Sequence, residues 1–214
     1  MDKETSAILP TPSASPQIQE MLANAGGHVT LGKSSKSGTA GEKIVPITDA
    51  SGVSILQLHM ISWDAGVVVK MPDNTEVIKL VPGAVYGSLE GAPGPTGKSF
   101  QIRWANSIST TCSDFVSGKA GYDIQMIEDG SEVVRLVSAT HWWVLPFLTA
   151  TFCLGACCVH CMQNHAMQVK VKGADVGVLQ SNGVLTADEH GALSGALLCA
   201  ILTRWSKEYA PNAG

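Results

Sequence analysis

Four cysteines fall within nine positions, Cys153, Cys157, Cys158 and Cys161, beside His160 and His165. Thiolate and imidazole together are zinc ligands. The spacing is poor for that ion: adjacent cysteines rarely both reach one tetrahedral centre, and no second C-x2-C pair exists. The other chemistry open to clustered thiols is acylation. These cysteines close the stretch 142–162, WWVLPFLTATFCLGACCVHCM, which has no Asp, Glu, Lys or Arg over 21 positions. That length spans a bilayer, while Pro146 and Gly155 argue against a clean helix. Three readings are open. In the first, the stretch dips into a membrane, with Cys153, Cys157, Cys158 and Cys161 as palmitoylation sites and Trp142, Trp143 and Phe147 as membrane contacts. In the second it is a transmembrane helix. In the third it is two buried strands whose cysteines are small core residues.

Elsewhere the chain offers little chemistry. Ala92-Pro93-Gly94-Pro95-Thr96-Gly97-Lys98-Ser99 matches a relaxed P-loop, with Lys98 as the phosphate lysine. A working P-loop needs a strand before it and a helix after it. Tyr86–Gly91 is a poor strand and Phe100–Trp104 alternates like one, so a Gly/Pro connection between strands is the simpler reading. His28, His59, His141 and His190 have no Ser or Cys partner at a recognised spacing, and no carboxylate pair suggests acid–base work. The expectation is a protein that is not an enzyme.

The formal net charge is −4 over 214 residues and no basic cluster exists, which argues against nucleic acid. Residues 1–20 lack the apolar core of a signal peptide, so a cytoplasmic setting and free thiols are expected. Residues 1–43 are rich in Pro, Ser and Gly and read as a disordered tail with a short apolar nub at Ile18–Leu22. Pro10, Pro12 and Pro16 either form a polyproline ligand for a protein partner or belong to a plain tail. One domain follows, over 44–210.

Two stretches of that domain say the same thing. Residues 67–81 read VVVKMPDNTEVIKLV and residues 123–137 read DIQMIEDGSEVVRLV. With Asp73 set on Asp129, Glu76 falls on Glu132, Val77 on Val133, Leu80 on Leu136 and Val81 on Val137. Each copy reads as a hairpin: a β-branched run, a turn at Pro72-Asp73-Asn74 or Glu128-Asp129-Gly130, and an alternating return strand. Ser99–Trp104 and Ala166–Val171 extend the repeat weakly, and Ile44–Asp49 with Gly52–Leu58 suggests an earlier hairpin. Near the C-terminus, Thr186-Ala187-Asp188-Glu189 has the form of a capping box, predicting a helix from about Ala187 to Glu208. Its middle, Ala192–Leu202, is apolar on every side and too short for a bilayer, so Leu193, Leu197 and Ile201 are expected inside the protein. Arg204, Trp205, Lys207 and Glu208 mark where it emerges.

These features in this order resemble the phospholipid scramblase branch of the tubby-like superfamily, which includes the LURP-one-related proteins. The resemblance covers about residues 44–205. It is carried by Asp129-Gly130-Ser131-Glu132-Val133-Val134-Arg135-Leu136, by the cysteine-rich run into Met167–Val171, by Gly173–Gln180, and by the acidic turn and apolar helix at Asp188–Leu202. It implies a mainly β fold: a closed barrel of about twelve strands, internally duplicated, around a buried C-terminal helix. It also implies a membrane-associated protein on the cytoplasmic side that binds phospholipid or helps move it between leaflets. The alternative is a soluble LURP-one-like or tubby-like interaction module in signalling or defence; a third reading is nucleotide binding through Lys98. Scramblases carry an acidic calcium segment before the last helix. Here only Asp188 and Glu189 remain, whereas a tight Ca²⁺ site wants six to eight oxygens.

Overall fold

The computed structural model describes residues 16–37, 41–85, 87–91, 99–105, 123–138, 166–188 and 190–209. Short alternating runs separated by turn residues form thirteen strands in one antiparallel sheet. After helix α1 (Pro16–Asn24) come β1 (His28–Leu31), β2 (Ser35–Lys36), β3 (Lys43–Asp49) and β4 (Ser54–Met60). The wall continues with β5 (Val67–Lys70), β6 (Glu76–Pro82), β7 (Leu89–Gly91), β8 (Phe100–Trp104), β9 (Ile124–Glu128) and β10 (Ser131–Ser138). It ends with β11 (Met167–Val171), β12 (Ala174–Leu179) and β13 (Val184–Ala187), before helix α2 (His190–Tyr209).

From β3 to β13 each strand pairs with the next, and β1 pairs with both β13 and β3, which closes a barrel of twelve strands. The extra strand β2 lies along the start of β3. Closure removes the open edges of the wall, which would otherwise template pairing with other chains. Alternation sends one set of side chains inward: Leu56, Leu58 and Met60 from β4, Ile124 and Met126 from β9, Val134 and Leu136 from β10, all fully buried.

Twelve strands enclose more space than their own side chains fill, and α2 occupies it. Every residue from Ala192 to Leu202 is buried, as a helix apolar all round requires. Consecutive strands alternate in direction, so the turns β3–β4, β5–β6, β9–β10 and β11–β12 share one end of the barrel. Helix α2 starts there, after β13, and finishes at the opposite, far end, where Tyr209 meets Met60. It therefore runs the length of the lumen. At Gly195 it comes so close to β10 that an added Cβ would stand 2.6 Å from Val134 Cγ2.

The expected barrel around a C-terminal helix is thus the observed fold, and several details differ. The tail does not extend to residue 43. Ile18 and Leu22, one helical turn apart, are buried by α1 against α2, and β1 is a wall strand. Thr186 and Ala187 do not cap the helix. They pair in β13 with β12 and β1, the Thr186 hydroxyl donates to the Val178 carbonyl, and α2 begins only at His190. Trp205 does not mark an exit: it is fully buried and stacks on Trp63, ring centroids 3.9 Å apart. The weak extension of the repeat is not topological, because β11 pairs directly with β10 whereas β7 separates β8 from β6.

Candidate functional site

The far end of the barrel gathers the polar side chains with long-range partners. Three successive residues at the entry to β3 hold it together. The Tyr209 hydroxyl donates to the Gly41 carbonyl (2.9 Å) and the Met60 carbonyl (2.8 Å). Glu42 faces His59 Nδ1 at 2.8 Å, and Lys43 Nζ donates to Glu208 at 2.7 Å while lying 4.8 Å from the Tyr209 ring centre. Glu208 also accepts from Ser34 at 2.9 Å and faces Arg204 at 3.3 Å. Cations at a helix C-terminus suit the helix dipole.

The electrostatics follow from these contacts. Burial works to raise the Glu208 carboxyl, but hydrogen bonds from Lys43 and Ser34 and the charges of Lys43 and Arg204 outweigh it and leave it below the usual range. The hydrogen bond with His59, then that from Ser37, holds Glu42 below it too. His59 is 7% exposed, and its Nε2 is buried without a partner.

The outer wall is mixed. Lys79, Gln101, Arg103 and Arg135 alternate with the inward residues of their strands, and Val68, Val81 and Val137 face outward with them. Charged side chains at such positions are costly where a barrel wall faces lipid. The lumen holds α2, whose residues Ala192–Leu202 are all buried there. No helix among the described residues is long and apolar enough to cross a membrane.

The residues singled out in the sequence fall into two groups. Cys153, Cys157, Cys158, Cys161, Trp142, Trp143 and Phe147, with the zinc alternatives His160 and His165, lie outside the described residues, as do Lys98 and Glu189. Those that are described are Asp188, exposed beside the start of α2, and Leu193, Leu197 and Ile201, buried within it. Among the described residues no three His, Cys, Asp or Glu side chains converge as metal ligands. The P-loop reading lacks its setting. A strand, β8, follows the loop where a helix is required, and it pairs back on β7. The open cleft next to it, about 350 Å³, is lined by Glu90 and Asp129, which repel phosphate.

The residues on either side of the uncharged, cysteine-rich stretch are described, though the stretch is not. Ser138 closes β10, Met167 opens β11, and the two are direct cross-strand partners. β10 therefore ends and β11 begins side by side at the far end, and the two strands are neighbours in the sheet. Sequence reasoning missed the residues that organise this end, Gly41, Glu42, Lys43 and Glu208. The charge alternation at 204–208 was the available signal, but its partners lie more than 150 residues away in the chain. No protein-family model, curated protein or solved structure matches this chain.

Proposed function

We propose that this chain is a non-enzymatic, membrane-associated barrel protein similar to phospholipid scramblases. In this reading the helix-filled barrel is a rigid base, and the stretch 142–162 anchors it to the cytoplasmic face of a membrane through acylated Cys153, Cys157, Cys158 and Cys161. The observation that carries it is the pairing of Ser138 with Met167 at the far end, on either side of 28 residues that include no Asp, Glu, Lys or Arg. A single acyl chain holds a protein only marginally, while several together hold it stably, at about 0.8 kcal/mol per buried methylene. Because the lumen is filled, any contact with phospholipid, or help in its transbilayer movement, falls to this end rather than to the barrel interior. The apolar stretch headed by Trp142 and Trp143 is the part of the chain suited to that contact.

A soluble tubby-like or LURP-one-like interaction module is the second reading, favoured by the charges of Lys79, Arg103 and Arg135 on the outer wall. Replacing Cys153, Cys157, Cys158 and Cys161 with Ser and measuring the fraction that pellets with membranes separates the two. Release to the supernatant, reproduced by hydroxylamine on the parent, is the expected result. A parent that never pellets leaves the soluble module.

A further inference from the structure

We infer that the far end of the barrel docks on an anionic lipid surface, through basic side chains around the last turn of α2 and apolar side chains beside them. This rests on the membrane reading above and names the lipid chemistry and the face that meets it. The two ends of the barrel differ in charge. Asp49, Asp73, Asp129, Asp175 and Asp188 all lie at the tight-turn end, which an anionic surface would repel. At the far end the exposed Lys33 and Lys36 flank the C-terminal turn of α2. Three of the far-end carboxylates are engaged, Glu42 by His59, Glu208 by Lys43 and Asp123 by Arg135, while Asp64 is exposed in the β4–β5 turn.

Three of the four large apolar side chains left exposed among the described residues lie at this end, the fourth being Val53, 58% exposed, in the β3–β4 turn at the other. Ile61 is 51% exposed, Val81 39% and Val85 46%. Ile61 follows Met60, whose carbonyl binds the last residue of α2, while Val81 and Val85 flank the β6–β7 turn at this same end. Lysines and exposed apolar side chains at one end of a barrel suit the headgroup region of an anionic leaflet: the apolar side chains enter the apolar boundary and the ammonium groups meet lipid phosphates. Each lysine near such a surface is worth about fivefold in partitioning, an attraction that salt screens.

The test uses the full chain made in a host that does not acylate it, sedimented with vesicles of phosphatidylcholine alone or mixed with phosphatidylserine. Preference for the mixed vesicles, lost at high salt, is expected. Lys33→Glu with Lys36→Glu should weaken that binding more than about tenfold, while the charge-matched Lys79→Glu with Lys172→Glu, away from this end, changes it much less. Equal loss in the two double variants overturns the docking face. Equal binding of the parent to both vesicles overturns the anionic preference and leaves the membrane reading intact. No binding to either vesicle overturns this inference, and the membrane reading still stands or falls on the pelleting of the acylated protein.

Discussion

Val77 and Val133 hold the same place in two hairpins. Each is the residue skipped where its return strand slips against its partner, since Val69 pairs with Ile78 but Lys70 with Glu76, and Glu132 pairs with Ile127 but Val134 with Met126. Each lies three positions after a residue with left-handed backbone, Asn74 at φ 69° and Gly130 at φ 76°. The same geometry recurs twice more: Gly52 (φ 83°) precedes the skipped Ile55, and Gly173 (φ 84°) the skipped Val176. The unit is therefore used four times, and its bulges add the twist a closed wall needs.

The left-handed residue should tolerate only side chains that suit it. Asn74→Gly is expected to leave stability unchanged or raise it slightly, whereas Asn74→Val and Gly130→Val should each lose about 1–2 kcal/mol. Urea unfolding of the three variants checks this. Equal stability of Asn74→Val and Asn74→Gly would remove the turn from the account.

The helix in the lumen gives a second expectation. Leu197 is 1% exposed, so Leu197→Asp buries an unpaired carboxyl at a loss of several kcal/mol. Gly195→Val pushes against Val134 and should lose about 1–3 kcal/mol. Thermal melts decide; a Leu197→Asp protein that melts like the parent is incompatible with a central helix.

Acid should loosen the far end. The carboxyls of Glu208 and Glu42 titrate lower in the folded protein than in the unfolded chain, so each adds stability above its ordinary range and loses it as pH falls through the folded value. Melting temperature should therefore fall between about pH 5 and about pH 3. Glu208→Gln should start lower and lose less over that interval, because its contribution is already gone. Parallel curves for parent and variant would contradict the clamp.

The sequence announced two of the four hairpins as copies because both keep Asp, Glu and Val at matching places, from Asp73 to Val77 and from Asp129 to Val133, and it showed Ile44–Leu58 as a hairpin without its kinship to them. The other two share only backbone demands, a left-handed residue and a bulge, while their side chains drift: Val53 and Ser54 in one, Ala174 and Asp175 in the other. The buried helix was legible because no face of Ala192–Leu202 is polar enough for water. Its start was not, because Thr186-Ala187-Asp188-Glu189 satisfies a local capping pattern that two neighbouring strands override. Strand β1 was hidden for a similar reason: four residues among glycines carry little local signal, and pairing with β13 and β3 supplies what propensity does not. The far-end clamp depends on contacts such as Trp63 with Trp205, which no local window contains.

In the proposed reading the chain between Ser138 and Met167 holds the protein on a membrane, and the barrel folds without it. Because these two residues are cross-strand partners, residues 139–166 can be replaced by Asn-Gly, the turn that suits a two-residue hairpin. The decisive measurement is the membrane-pelleted fraction of this variant, taken beside its thermal melt. A cooperative melt like that of the parent, with the protein moved from pellet to supernatant, is the predicted result. A folded variant that pellets as the parent does would contradict it.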